Sequence, residues 1–555
     1  MDSKGGFVPL PTILNGKTVD PQQDSSTPVW QLETAMGAAI ECFKGAAAIM
    51  VPRSRFAPVK KCSDLLLLRS DAYLVDEQNV LILNPSCAGG VAPIIDLDDK
   101  KYKLVQHLEA ATQGGYPSLV KCKKLSVKGE VWFSSRNIFV GTVSVVNNSS
   151  EPKILPPGIY SDTTVDVTSF EGLGPLKPSN LSTTPFSDQK PGTSGLRKKT
   201  KVFCTGLYLH NFVQATFNAL IQNGVDLSDG SLLIGGDGRY FNNEAIQIIS
   251  KISVANGVKR LVIGQHGLLS TPAVSAIIRE KSPGWNKPFG SFILTASHNP
   301  GGPEEDFGIK YNCENGGPAP ESLTNNIYET TRVLTTVKIC SDFPTINTSE
   351  IGSSVIYSND KNIQVVVDVI SSTDCHIELL KTVFDFPKIS NLIKRKDFSF
   401  RYDCMHGVQG PYAYKCFVEV FGASKDSLLN FIPKDDFNGH HADPNLTYAR
   451  DLCDVMGVDA KGNPIPSPTE PPVFGAAADG DADRNMILGR RFFVTPSDSL
   501  AIIADHAHLI PFFSQQGGLK SVARSMPTSG AVDLVAKRYF HFVFQFNSIQ
   551  FNIYT

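Results

Sequence analysis

Between residues 231 and 370, short apolar runs alternate with stretches whose apolar residues recur at helical spacing, and this alternation limits the fold more than any other feature. Leu232–Gly235 reads as a buried strand and Gly236-Asp237-Gly238 as the turn after it. A helix is predicted from there to about Asn256, burying Ala245, Ile249 and Ile252, with Gly257 suited to a left-handed stop. Leu261–Gly264 is the next strand. Ser270 or Thr271 then offers a cap, and Pro272 a first-turn residue, for a helix through Ile278. Phe292–Leu294 gives a third strand and Gln364–Ile370 a fourth. Strands joined by helices in this way imply an α/β fold with a largely parallel sheet covered on both faces.

Two constellations in this part of the chain carry chemistry. The first is Thr295-Ala296-Ser297-His298-Asn299-Pro300-Gly301-Gly302, continuing through Asp306-Phe307-Gly308-Ile309-Lys310. It follows the carboxyl end of an apolar strand, where open α/β sheets place their ligand sites. Pro300 and the two glycines force an irregular loop that lets Ser297 and backbone N–H groups point into a cleft. Taken alone, a Ser-His pair is a capped loop serine beside a solvated histidine, because a serine hydroxyl is a poor nucleophile without activation.

The second is Asp479-Gly480-Asp481-Ala482-Asp483-Arg484. Three carboxylates at alternate positions of an extended loop can converge on a hard cation. The competing EF-hand reading fails, since Arg484 falls where that loop needs glycine and Arg490 where it needs glutamate. An acidic surface turn is the plain alternative. A serine loop together with a Mg²⁺ loop is what phosphoryl transfer requires, with Lys310, Arg197 and Arg484 available to hold the remaining phosphate charge.

Thr295–Glu321, which includes Asn315-Gly316-Gly317-Pro318-Ala319-Pro320-Glu321, resembles the active-serine region of α-D-phosphohexomutases, specifically eukaryotic phosphoglucomutase. The same holds for Asp188-Gln189-Lys190-Pro191-Gly192-Thr193-Ser194-Gly195-Leu196-Arg197, for Gly439-His440-His441 through Pro444-Asn445-Leu446-Thr447-Tyr448, and for Ser525-Met526-Pro527-Thr528-Ser529. The resemblance implies that Ser297 carries the phosphoryl group and that Asp479, Asp481 and Asp483 bind Mg²⁺, with the serine completing the metal site. It makes His298 and Lys310 acid/base and phosphate-contacting candidates, puts Arg197 and Arg484 beside the phosphoserine, and adds Asn299 as a phosphate contact. The implied reaction interconverts glucose 1-phosphate and glucose 6-phosphate, with glucose 1,6-bisphosphate as intermediate and activator. A non-catalytic scaffold or interaction protein retaining the fold, or a mutase for mannose or glucosamine phosphates, is compatible with the same motifs. Two positions depart from the family pattern. Glu304-Glu305 replaces a small pair and adds negative charge, and Ala482 replaces a glycine, which strains the turn if its φ is positive.

The amino-terminal part resembles a different family. Gln31-Leu32-Glu33-Thr34-Ala35, Val51-Pro52-Arg53-Ser54-Arg55-Phe56, Pro58-Val59-Lys60 and Ser63-Asp64-Leu65-Leu66-Leu67 are similar to the carboxyl-terminal part of UTP–glucose-1-phosphate uridylyltransferase. By that resemblance Lys60 is a phosphate-contacting lysine, and UTP and UDP-glucose are ligands of the intact parent. Gly5-Gly6, Gly89-Gly90 and Gly114-Gly115 lack the surroundings of that family's nucleotide loop. Periodicity predicts a helix over Gln31–Phe43 with Leu32, Met36, Ile40 and Phe43 on one face. Leu125/Val127, Val131/Phe133, Ile138/Val140 and Val143/Val145 have the rhythm of short strands stacked as coils of a small β-helix, left-handed by the family resemblance; an antiparallel sheet fits almost as well.

The expected organisation is a partial nucleotidyltransferase domain over 1–115, a short β-helix over 116–160 and a Ser/Thr/Pro/Gly-rich linker over 161–187. Mutase domain 1 follows over 188–370, domain 2 over 371–508 and the start of domain 3 over 509–538, with 539–555 resembling neither family. The first two mutase domains should be similar and face each other across a cleft. The sugar-reading and distal phosphate loops of the mutase family are not found, so the expectation is a truncated fusion of low or no activity. The 52 basic and 54 acidic residues leave a net charge of -2, which argues against nucleic acid or an anionic membrane as partner. Apolar runs such as Leu65–Leu68 are too short to cross a bilayer. The 11 cysteines are scattered, the closest pair being Cys404 and Cys416, and read as reduced, mostly buried thiols of a cytoplasmic protein.

Overall fold

A computed structural model describes residues 10–20, 25–50, 58–76, 79–135, 137–155, 158–168, 176–192, 194–280, 287–357, 363–526, 528–539 and 544–546. Gly5-Gly6, the Val51–Phe56 motif, Thr193, Pro527 and most of 540–555 lie outside the described residues.

The predicted helix over Gln31–Phe43 is not formed. Pro28–Thr34 is a strand paired antiparallel with Thr12–Thr18, and only Met36–Cys42 turns, as a 3₁₀ helix. The pattern of Leu32, Ile40 and Phe43 misled because none of the three is buried; Leu32 remains 68% exposed. Cross-strand partners and the β-favouring Val29, Trp30 and Thr34 outweigh a weak helical period.

The β-rich segment pairs its strands in parallel, which excludes the antiparallel sheet. Ile94–Leu97, Cys122–Lys128, Asn137–Val146 and Gly158–Ser161 pair in parallel, and Thr164–Asp166 joins Asn137–Val146 in parallel as well. Successive parallel strands stacked in this order suit coils. Ile138/Val140 and Val143/Val145 belong to one strand, interrupted at Gly141 with φ +66°, and Phe139, Val143 and Val145 point to the core while Ile138 and Val140 do not. Leu125, Val127, Phe133 and Phe139 pack in one cluster with Leu66 and Leu108. The Ser/Thr-rich stretch 161–187 is not without structure, because Thr164–Asp166 extends the coil and Ser179–Ser182 pairs with Thr336–Ile339.

From residue 196 the chain builds a seven-stranded sheet. Pro288–Leu294, Ser231–Gly236, Arg260–Leu268 and Ile363–Ile370 form its parallel centre. Asp306–Cys313 and Leu196–Lys199 extend one side antiparallel, and Gly352–Tyr357 closes the other. Alternate residues of the central strands face opposite layers. Leu232, Ile234, Phe292 and Leu294 pack with helices Tyr208–Gln222 and Asn242–Ala255, whereas Leu233, Val262 and Ile293 pack with Val274, Ile277 and Ile278 of helix Thr271–Glu280. Gly257 takes the left-handed stop at φ +98°, and the Ser270 hydroxyl accepts the amide of Ala273 as a cap.

A second, five-stranded sheet orders Leu428–Leu429, Phe400–Asp403, Phe474–Ala478, Asn485–Gly489 and Phe492–Val494. Helix Arg450–Met456 covers it through Leu452, Cys453 and Met456. Gly475 is required for close approach, since a Cβ there would sit 2.8 Å from Met456 Sδ. Helix Pro496–Asp505 shares Ala501 and Ala504 with Val522, Val532 and Ala536 of the third segment. Among the described residues all 11 cysteines are free thiols, and no helix is long and apolar enough to cross a membrane.

Candidate active site

The carboxyl ends of three neighbouring parallel strands supply one wall of the site. Ser231–Gly236 leads into Asp237 and Arg239, Arg260–Leu268 into Thr271, and Pro288–Leu294 into Thr295 and Ser297. The opposite wall is the loop after Phe474–Ala478, which carries Asp479, Asp481 and Asp483.

Ser297 is 2% exposed and adopts φ +55°. Its amide donates to Thr295 Oγ1 at 2.7 Å, and its hydroxyl donates to Asp479 Oδ2 at 2.7 Å. His298 Nδ1 lies 3.4 Å from the same hydroxyl, and burial followed by the charge of Arg484 lowers its pKa. A neutral imidazole beside the serine is therefore favoured.

Asp479, Asp481 and Asp483 each offer a carboxylate oxygen within 4.8 Å of the others. Asp479 Oδ1 accepts from the amides of Asp483 and Arg484, both at 3.0 Å, which bends the loop back on itself. Asp481 Oδ2 accepts from Thr271 Oγ1 at 2.7 Å and from Lys310 Nζ at 3.2 Å, while its fully buried Oδ1 has no hydrogen-bond partner among the described residues. Burial and then the charges of Asp481 and Asp483 push Asp479 up to about 8. Burial acts the same way on Asp481, but Lys310 and the Thr271 hydroxyl hold it below the usual carboxylate range. A buried carboxylate cluster with an oxygen left without a hydrogen bond among the described residues, and with burial and like charge raising Asp479, is a donor set that a hard divalent cation fits.

Arg197 is half-buried, which lowers its pKa, and its Nε has no hydrogen-bond partner among the described residues; the charge of Asp481 acts on it across the site. Arg484 Nε stands 4.0 Å from Asp479 Oδ2. Ser297, His298, Lys310, Arg197, Arg484 and the three aspartates are thus brought together. Asn299, on the same loop, donates from its amide group to Asp306 Oδ2 at 2.8 Å and ties the loop to the strand that follows. Lys60 is exposed in the amino-terminal part, where its backbone amide caps on Asp64, apart from this constellation.

The two family departures also resolve. Ala482 has φ +63°, the conformation in which a side chain is strained. Glu304 and Glu305 are engaged by Lys201 at 3.4 Å and Lys199 at 3.1 Å on the surface.

Sequence reasoning passed over Asp237 and Arg239. Both are fully buried and joined through two Nε bonds of 3.0 Å and an Nη2 bond of 2.8 Å. Their signal was available as charged residues in the turn at the carboxyl end of the first parallel strand.

Residues 3–139 match the UTP–glucose-1-phosphate uridylyltransferase family, and residues 188–337 match phosphoglucomutase/phosphomannomutase, alpha/beta/alpha domain I. The cytoplasmic phosphoglucomutase of Solanum tuberosum is 58% identical over 365 residues, which is 65% of this chain and 61% of the relative. That of Populus tremula is 56% identical over 361 residues, 65% of this chain and 60% of the relative. The solved open form of the exocytosis-sensitive phosphoprotein pp63/parafusin, a phosphoglucomutase from Paramecium, is 46% identical at a TM-score of 0.62, covering 66% of this chain and 64% of that one. The chain spans about three fifths of the length of the curated relatives it matches.

Proposed function

We propose that this chain, which carries a uridylyltransferase segment followed by phosphoglucomutase sequence, belongs to a two-part enzyme of glucose phosphate metabolism. The mutase part interconverts glucose 1-phosphate and glucose 6-phosphate in the cytoplasm, with Mg²⁺ and with glucose 1,6-bisphosphate as activator. The amino-terminal part derives from an enzyme that joins UTP and glucose 1-phosphate into UDP-glucose, so the product of one half is the substrate of the other. Its Lys60 contacts phosphate in the intact parent. The mutase sequence divides into domains over about 188–370, 371–508 and 509–538.

In this reading Ser297 Oγ carries the phosphoryl group. It passes the group to a sugar hydroxyl, whose proton leaves to a base, and takes the second phosphoryl group back from the bisphosphate. Asp479 accepts the Ser297 hydroxyl bond and orients the oxygen. Lys310 bridges Asp481 and the cleft, and Arg197 and Arg484 present positive charge to phosphate oxygens. Asp479, Asp481 and Asp483 would hold Mg²⁺, which would supply positive charge to the transferring phosphoryl group.

The observation that carries the proposal is the 2.7 Å bond from Ser297 to one member of the carboxylate triad. Incubation of the chain with glucose 1,6-bisphosphate and Mg²⁺ should place phosphate on Ser297, read by mass spectrometry, and Ser297→Ala should abolish it. Phosphate on another residue, unaffected by the alanine change, overturns the assignment.

A further inference from the structure

We propose that Arg239 is a positioning residue for the serine loop, fixing Ser297 in its left-handed conformation and tying that loop to the unit that carries the carboxylate triad. The inference rests on the reading of Ser297 as the phosphoryl carrier.

Arg239 is 1% exposed, and its only charged hydrogen-bond partner among the described residues is Asp237. Nη2 donates to the Ser297 carbonyl at 2.9 Å, and Nη1 donates to the Asp306 carbonyl at 2.8 Å and the Asn299 carbonyl at 3.4 Å. One guanidinium therefore grips the loop at its apex and at both sides of the Asn299–Asp306 bridge. A planar fork with five donors suits this task, which the ammonium of a lysine cannot reproduce. Asp237 extends the grip. Its Oδ2 accepts from Thr295 Oγ1 at 2.6 Å, and the same hydroxyl oxygen accepts the Ser297 amide at 2.7 Å. Both backbone polar groups of Ser297 thus trace back to the Asp237–Arg239 pair.

The other face of the guanidinium stacks on Phe437, 5.2 Å from the ring centre, in the segment leading to the second unit's His440 and His441. The neighbouring backbone is equally close: the Tyr240 amide donates to Asp435 O at 2.8 Å, and a Cβ on Gly301 would lie 2.7 Å from that same oxygen. Arg239 is thus a shared part of both walls of the cleft. Relaxing it should release the φ +55° of Ser297, which is costly for a side-chain-bearing residue and persists only while its surroundings hold it.

The test compares the full chain with Arg239→Gln, Arg239→Lys and Thr295→Val, the last cutting the relay between Asp237 and the Ser297 amide while leaving the Asp237–Arg239 ion pair in place. Each is assayed at a temperature where circular dichroism shows it folded. Amide exchange over residues 295–299 should rise at least tenfold in Arg239→Gln and in Thr295→Val, while strands Pro288–Leu294 and Asp306–Cys313 stay protected. Phosphorylation of Ser297 by glucose 1,6-bisphosphate should slow at least tenfold in both, with Mg²⁺ affinity changed less than threefold; Arg239→Lys should fall between. Unchanged exchange in the loop, or loosening that leaves the phosphorylation rate intact, overturns the inference. If the parent chain takes no phosphate at Ser297, the mutase reading fails, and exchange alone then decides whether Arg239 holds the loop.

Discussion

Ser297 Oγ lies 2.7 Å from Asp479 Oδ2, although 182 positions of sequence separate the two residues. The serine comes from the end of a strand in the seven-stranded sheet, and the aspartate from the end of a strand in the five-stranded one. The contact joins the two loops into a single site.

Asp481→Asn should weaken Mg²⁺ binding at least tenfold, roughly 1.4 kcal/mol or more. The change removes one of three charges from the buried cluster and replaces a carboxylate oxygen with an amide NH₂. Competition against Mn²⁺ followed by electron paramagnetic resonance measures it. An affinity within twofold of the parent would exclude Asp481 as a ligand.

Metal binding should become more stabilising as pH rises from about 4 to about 8. Asp479 is held up to about 8 by burial and its two acidic neighbours, above an unfolded value of about 3.9. The folded metal-free chain therefore binds the extra proton. Its contribution is complete below the unfolded value and is lost as pH climbs through the folded one. A cation that replaces the proton reverses the loss, so the gap in Tm with and without Mg²⁺ should widen over this window. Titration calorimetry in two buffers should show proton release on binding. A constant gap and no release would refute the account.

Gly480→Ala should lower stability by about 1–3 kcal/mol, the usual range for overpacking. A Cβ at 480 would stand 2.6 Å from Ser297 O and 3.1 Å from Phe437 Cζ. The first neighbour is backbone that Arg239 already fixes, so the two loops must separate. Mg²⁺ affinity should fall with stability in the same variant. Urea denaturation and metal titration check the pair, and an unchanged midpoint would mean that the loops are not packed this closely.

Ala482 tests the cost of its φ of +63°. Ala482→Gly relieves about 1–2 kcal/mol of left-handed strain and concedes about 0.4–1 kcal/mol of unfolded-chain entropy, leaving stability within about 1 kcal/mol of the parent. Ala482→Val, branched at the strained position, should cost about 2 kcal/mol or more. Equal stability of the valine variant would show that the turn is relaxed in solution.

Glu304→Gln with Glu305→Gln should change Ser297 phosphorylation less than twofold. Both carboxylates pair with exposed lysines on the outside of the loop, where ion pairs contribute only about 0–1 kcal/mol. A large gain in rate would show that their charge reaches the phosphate after all.

The sequence by itself determined the parts that local spacing governs. Leu232–Gly235, the helix ending at Gly257 and the helix capped at Ser270 were legible because alternation, helical period and stop residues act within a few positions. The serine and aspartate loops stood out only together and through their resemblance to the mutase family, since a lone loop serine or an acidic turn has a plain reading of its own. Tertiary structure alone decided the rest. Residues 28–34 became a strand because Thr12–Thr18 pairs with them, a partner that no helical-period count within 31–43 detects. Asn299 gained its bond to Asp306 because the strand that follows the loop brings a carboxylate within reach. Arg239 gained its place only when three separate backbone carbonyls and Phe437 converged on it, since burying a guanidinium is favourable only where fixed acceptors and a paired carboxylate replace its water.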